Sequence, residues 1–139
     1  MIEKRRSPIQ GWGVFATQPI HKNKRIIDYA GEKITNQESL KREKRYLKNG
    51  HIWCFKLNRL FVRDAAVGGN VARYINHACR PNTETYIVGH VIKVRATKNI
   101  KAGDEITYHY GRNYFVAFIK DKGCKCGHCA RKKRRSARR

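Results

Sequence analysis

Acidic residues are scarce in this sequence. Ten Asp and Glu stand against 32 Lys and Arg in 139 residues, a formal net charge of +22, and the few carboxylates form no evident catalytic pair. Long apolar runs are missing too. No stretch approaches the ~18 residues a membrane span requires, and Met1 leads into Glu3-Lys4-Arg5-Arg6 with no hydrophobic stretch behind it. The expectation is a soluble, unexported protein: cytoplasmic or nucleoid-associated if bacterial, nuclear if eukaryotic or viral, and not secreted. The sequence also lacks an internal repeat and the length for a second large core, since domains usually run to ~100–150 residues.

What is present is apolar material for one core, 40% of the chain with 10% aromatic, so global disorder is not expected. A field of one sign this strong favours a polyanionic partner. Seven of the basic residues fall in the last nine, RKKRRSARR from Arg131 to Arg139. That run has no large apolar residue and repels itself, which predicts a disordered basic tail. The remaining excess belongs to residues 1–130.

Short β-branched and aromatic runs punctuated by Gly, Asn, Asp and Pro predict strands at Ile26–Tyr29, Trp53–Leu57, Leu60–Val62 and Val91–Val94. Helical pattern is confined to Asn36–Leu47, where Asn36 can cap and Leu40, Tyr46 and Leu47 give a partial apolar stripe, and to Val71–Ile75. The fold class expected is mostly β with little helix.

Four local constellations carry chemistry. Gly11-Trp12-Gly13-Val14-Phe15 lets backbone approach a ligand closely, although a tight turn with a core tryptophan has the same pattern. Gly69 to Asn82 contains the adjacent pair Asn76-His77, rich in donors and acceptors, which as isolated residues are ordinary loop polars. Gly103 to Gly111 is a turn followed by an alternating strand that places Tyr108 and Tyr110 on one face and Thr107 and His109 on the other. Cys124-Lys125-Cys126-Gly127-His128-Cys129 supplies three thiols, one short of a tetrahedral zinc site, with Cys79 upstream as the candidate fourth. A redox-active cysteine group is the alternative.

The succession GWGVFA, DYAGE (Asp28 to Glu32), GNVARYINHACRPN, GDEITYHYG and CKCGHC resembles the SET-domain protein lysine methyltransferases, over residues 2 to about 130, and most of all their compact stand-alone, bacterial-like type. The resemblance implies a β-clip fold of small sheets with a knot-like crossing near the active site. It implies a SET domain over 1–119, a post-SET-like zinc segment over 120–130 and the tail over 131–139. It implies S-adenosyl-L-methionine held by Gly11, Trp12, Gly13, Asn76 and His77 with Arg73 in support. Tyr110 takes the position of the catalytic tyrosine, Tyr108 the position that tunes how many methyl groups fit, and Tyr29 a wall of the lysine channel. Structural zinc is implied on Cys79, Cys124, Cys126 and Cys129. Cys54, between Trp53 and Phe55, is left as a small core hydrophobe.

The chain departs from that pattern in three places: CxCxxC replaces the usual CxCxxxxC, Ala78 stands where serine is usual, and His109 where aspartate is usual. Tyrosine rather than phenylalanine at Tyr108 points to limited methylation. The expected activity is methylation of a protein lysine amine. Its alternative is a catalytically weak SET-like module binding nucleic acid or ribosomes through its basic surface. Because a basic enzyme repels free basic tails, the expected substrate is an acidic-flanked lysine or a nucleic-acid-associated protein.

Overall fold

The computed structural model describes residues 1–50, 52–114, 119 and 123–137. The elements in chain order are β1 (Ile2–Arg6), β2 (Trp12–Ala16), β3 (Arg25–Tyr29), β4 (Glu32–Thr35), α1 (Asn36–Lys48), β5 (Cys54–Lys56), β6 (Phe61–Asp64), a 3-10 turn (Val71–Tyr74), β7 (Asn76–His77), β8 (Thr83–Val88), β9 (Val91–Ala96), β10 (Glu105–Tyr108), the single turn α2 (Arg112–Tyr114) and α3 (Gly127–Ala137). The protein is mostly β, built from small sheets, as expected. Among the described residues, no helix is long and apolar enough to cross a membrane.

The chain divides into two compact units, the first made of 1–25, 74–84 and 95–139 and the second of 26–73 and 85–94. In the first unit a four-stranded sheet runs β1-β2-β10-β7. β1 and β2 pair antiparallel from Ile2 opposite Ala16 to Arg6 opposite Trp12, and β2 continues onto β10 with Glu105 opposite Phe15. Val14, Ala16, Ile20, Ile75, Ile100 and Ile106 are all at most 2% exposed and form its core. Val14 and Ala16 on β2 and Ile106 on β10 are fully buried, and their removal from water stabilises the sheet.

The second unit holds the sheet β4-β6-β5 with α1 against it, and the segments 26–29, 85–88 and 91–94 of the sheet β3-β9-β8. Strand placement follows the sequence to within two residues at each end. Helix α1 departs from expectation in two respects. Its cap is Thr35, whose hydroxyl accepts from Glu38 N at 3.2 Å, rather than Asn36. Its inward face is polar. Leu40 and Leu47 are 62% and 51% exposed, while Asp64 on β6 is fully buried. Asp64 accepts from Arg42 Nη1 at 3.0 Å, from the Tyr46 hydroxyl at 2.5 Å and from Ala66 N at 2.9 Å. Arg42 also reaches Glu32 and Glu38 at 2.8 and 3.0 Å, so the helix is fastened by a charge network instead of an apolar stripe.

Residues 127–137 correct a second expectation. Where a disordered tail was predicted from Arg131 onward, α3 continues through Ala137. Lys, Arg and Ala are strong helix formers, and Arg134 and Arg135 in the last turn complement the negative end of the helix dipole. Arg138 and Arg139 lie outside the described residues, as do Phe115, Phe118 and the start of the expected zinc segment at 120–122.

Candidate functional site

The sequence motifs of the first unit converge on the pairing of β7 with β10. The two strands run parallel, with Asn76 beside Thr107 and His77 beside Tyr108. The chain that follows β7 returns to the same strand. Ala78 N donates to Tyr108 O at 3.2 Å. The Asn82 side chain accepts from Thr107 N at 3.0 Å and donates to Glu105 O at 2.9 Å, and the Thr83 hydroxyl donates to Thr107 O at 2.6 Å. Backbone pairing at one end and side-chain bonds at the other therefore fix the Asn-His segment against β10.

The first product of this arrangement is a polar node at the glycine turn. The amide nitrogen of Asn76 lies 2.9 Å from Trp12 O and 2.9 Å from Glu105 Oε1, with Ser7 Oγ and Gln10 O at 3.2 and 3.3 Å. The Ser7 hydroxyl meets Glu105 at 2.8 Å. Gly13 is required here, because a Cβ would fall 2.1 Å from Glu105 Oε1 and 3.0 Å from Ser7 Cβ. Gly11 turns the chain at φ +45°, in the left-handed region where glycine carries no steric penalty. Trp12 remains 39% exposed, with the Lys4 ammonium and the Arg6 guanidinium 4.5 and 4.3 Å from its ring centre. The same Lys4 nitrogen lies 4.2 Å from the Tyr74 ring centre.

The second product is an aromatic cluster. β10 ends at Tyr108, so Tyr110 lies beyond the predicted alternation, yet its ring centre is 5.2 Å from that of Tyr108 and 5.1 Å from that of Tyr114. The Tyr110 hydroxyl donates to Ile75 O. Burial, followed by the neighbouring phenols Tyr108 and Tyr114 and by Glu105, holds the Tyr110 phenol well above its ordinary pKa, so it stays a neutral donor. His77 Nδ1 accepts from Tyr110 N at 3.1 Å, which fixes a neutral imidazole. Burial first and then His109 push its pKa down to about 4. His109, in place of the aspartate expected from the family pattern, is exposed and sets its ring edge-on to His77 at 4.5 Å.

The four cysteines implicated by sequence come together. The Sγ atoms of Cys79, Cys124, Cys126 and Cys129 all lie within 4.8 Å of one another, with Cys79 3.5 Å from Cys129 and 3.8 Å from Cys124. Cys126 is fully buried. Burial and the adjacent thiols push the Cys79 thiol upward, and burial pushes Cys124 up to about 11. Cys126 moves the other way, to about 7: burial opposes ionisation there, but hydrogen bonds from the Cys79 and Cys129 backbone and from its thiol neighbours outweigh it. Cys54 stands apart, half-buried in β5, its thiol pushed up to about 12 mainly by burial; this agrees with a packing role.

Of the other residues singled out from sequence, Tyr29 and Arg73 belong to the second unit. The Tyr29 hydroxyl donates to Trp53 O at 2.9 Å, and its ring centre lies 5.3 Å from that of Phe55. Arg73 Nη1 donates to Ala65 O at 3.2 Å, and its guanidinium sits 5.2 Å from the Trp53 ring centre. Sequence motifs assigned no site role to Glu105, Ser7, Asn82 or Tyr114. Glu105 carried one usable signal: it is an acid on the buried strand of a chain otherwise crowded with cations.

The family profile described as SET domain matches residues 11–111, which contain the glycine turn, the Asn-His pair and the tyrosines. The histone-lysine N-methyltransferase trr of Drosophila melanogaster is 44% identical over 110 residues, 76% of this chain and 4% of that protein. The H3 lysine-4 specific histone-lysine N-methyltransferase of Emericella nidulans is 39% identical over 111 residues, 76% of this chain and 9% of that protein. The chain thus spans a small part of the curated relatives it matches. Among solved structures, the polycomb repressive complex 2 of Chaetomium thermophilum superposes with a TM-score of 0.75 at 36% identity, covering 81% of this chain and 15% of that one. A form of that complex bound to S-adenosylmethionine superposes at 0.73 and 37%, covering 79% and 15%. With the family profile matched over residues 11–111, most of its length, the chain belongs to the SET-domain family.

Proposed function

We propose that the protein transfers a methyl group from S-adenosyl-L-methionine to a protein lysine amine. The observation that carries this reading is the cluster of the buried Tyr108 with the half-buried Tyr110 and Tyr114, tied through the Tyr110–Ile75 bond to the segment that carries Asn76 and its bond to Glu105. The node's donor set suits a methyl donor that carries an ammonium, a carboxylate and a sulfonium. It offers the Glu105 carboxylate, the Gln10 and Trp12 carbonyls at a turn with Gly11 and Gly13, and the Asn76 amide. Gly11, Trp12, Gly13, Asn76 and His77 would hold the donor, with Arg73 supporting its own segment. When bound, the donor supplies an electrophilic methyl carbon.

The chain's own residues prepare the lysine. An amine with a pKa of ~10.4 is protonated at neutral pH and cannot attack. An apolar aromatic wall penalises the ammonium by desolvation and lowers that pKa. Tyr110, held by its bond to Ile75 O and by His77 on its backbone nitrogen, positions the reacting groups instead of taking a proton. The Tyr108 hydroxyl limits how many methyl groups are accepted.

Cys79, Cys124, Cys126 and Cys129 would hold one zinc ion. At a Zn–S distance of ~2.3 Å the sulfurs of a tetrahedron stand about 3.8 Å apart, close to the separation of Cys79 from Cys124 and Cys129. The ion would serve as the clamp of a post-SET-like segment. The relatives' names make a histone lysine the first substrate to test. Labelled S-adenosylmethionine with histones, nucleosomes and a proteome lysate, read by mass spectrometry, should yield methyl-lysine. Donor binding by calorimetry without any methyl-lysine in all three pools would overturn the reading.

A further inference from the structure

Helix α3 is charged on every side. Arg131, Lys132, Lys133, Arg134 and Arg135 are consecutive and all exposed. At 3.6 residues per turn, five consecutive positions point in all directions around the axis. No acidic residue lies on the helix to offset them. Repulsion between cations three and four apart, as between Arg131 and Arg135, destabilises the free helix. Its first turn is nonetheless fixed. Cys129 belongs to the four-cysteine cluster, and Ala130 N donates to the carbonyl of the buried Cys126 at 2.9 Å. Arg80, beside Cys79, is exposed and adds its charge at the same end.

We infer that α3 is a nucleic-acid-binding helix that lies in the groove of a duplex and neutralises phosphates on both walls. A flat anionic surface or an acidic peptide meets one side of a helix and leaves the opposite cations unneutralised. The major groove of a duplex, about 12 Å wide, admits a helix about 10–12 Å across and presents a phosphate row on each flank. Charge around the whole circumference therefore matches a groove better than a plane. All five side chains are Arg or Lys, the residues that pair with phosphate oxygens, so the contacts are to phosphate first and largely independent of sequence. This inference stands apart from the methyl-transfer proposal, since no residue of the node or the tyrosine cluster is involved.

The test uses the full chain, mixed-sequence duplex DNA and a salt titration. Each phosphate contact contributes about 0.9 to the slope of log affinity against log salt. Replacing Lys132, Lys133, Arg134 and Arg135 together by Gln should make the slope shallower by about 3.6, with donor binding and zinc content unchanged. An unaltered slope would overturn the proposal. Helical presentation is tested by Lys133→Gln against Lys133→Pro, which remove the same charge, only the second breaking the helix. The Gln variant should lose about 0.9 of slope, and the Pro variant about 2 or more. Equal losses would make the segment a flexible basic tail and defeat groove binding, as would displacement of the duplex by phosphatidylserine vesicles at equal phosphate concentration. Should the fourfold variant fail to fold, the Lys133 pair decides alone.

Discussion

At the scale of single residues, the site turns on two groups whose neighbours come from distant parts of the chain. Gly13 faces Glu105, and Tyr110 reaches back to Ile75. Gly13→Ala would drive a methyl group into the Glu105 carboxylate and break its bonds to Asn76 and Ser7. We expect a loss of about 1–3 kcal/mol in stability, the cost of partners left unsatisfied, and donor affinity at least tenfold weaker. Thermal unfolding and calorimetry measure the two effects, and wild-type donor affinity would remove the node from donor binding. Tyr110→Phe keeps the ring between Tyr108 and Tyr114 and deletes only the hydroxyl. Methyl transfer should be abolished while donor binding stays within about tenfold, the pattern of a group that acts on the reaction and not on ground-state binding. Unchanged turnover would exclude Tyr110 from the mechanism. Motif order was enough to single out both residues from sequence. The part of Glu105 was not legible, because the meeting of Ser7, Gly13, Asn76 and Glu105 depends on how β2, β7 and β10 align.

At the scale of elements, the cysteine cluster and α1 show opposite limits of sequence inference. Thiol chemistry is specific enough that four cysteines separated by up to 50 residues were grouped correctly from spacing and family pattern, and the structure brings them together. We expect one zinc per chain. Cys124→Ser should release it and loosen 123–130 while the β1-β2-β10-β7 sheet survives, because the ion's binding free energy stabilises the segment it clamps. Cys54→Ser should leave zinc content unchanged. Elemental analysis and hydrogen exchange read both outcomes, and a metal-free wild-type protein would contradict the assignment. For α1, the position of the helix was legible and its orientation was not. The spacing of Leu40, Tyr46 and Leu47 implied an apolar inward face, whereas the buried Ser39 bonds to Asn36 O and Arg42 and Tyr46 reach a buried Asp64. A carboxylate on a neighbouring strand cannot be paired with its helix from local periodicity. The bonds from Tyr46, Ala66 and Arg42 overcome burial and hold the Asp64 pKa below the ordinary carboxylate value. The resulting stabilisation is present above the unfolded-state pKa and is lost as pH falls through the folded one.

At the scale of the molecule, the net charge of +22 constrains substrate choice more than it constrains the fold. Like charges slow the encounter of this protein with a free basic peptide, and salt screens that repulsion over a Debye length of about 10 Å at 0.1 M. Turnover per unit substrate, kcat/KM, should therefore rise with ionic strength for a lysine peptide flanked by cations and fall for one flanked by acids. Equal salt dependence for the two peptides would show that the protein's field plays no part in selection. The parallel contact of Asn76 and His77 with Thr107 and Tyr108 also governs when the site exists. β1 and β2 pair across a short turn, but β7 must wait until the chain through Tyr108 is available and the long intervening loop has closed, an entropic cost met before the contact offers any return. A ribosome-bound chain that stops short of β10 thus has the glycine turn and the Asn-His segment but no site. In the finished protein, a ligand that fastened this late-forming contact would be expected to slow unfolding more than it speeds folding.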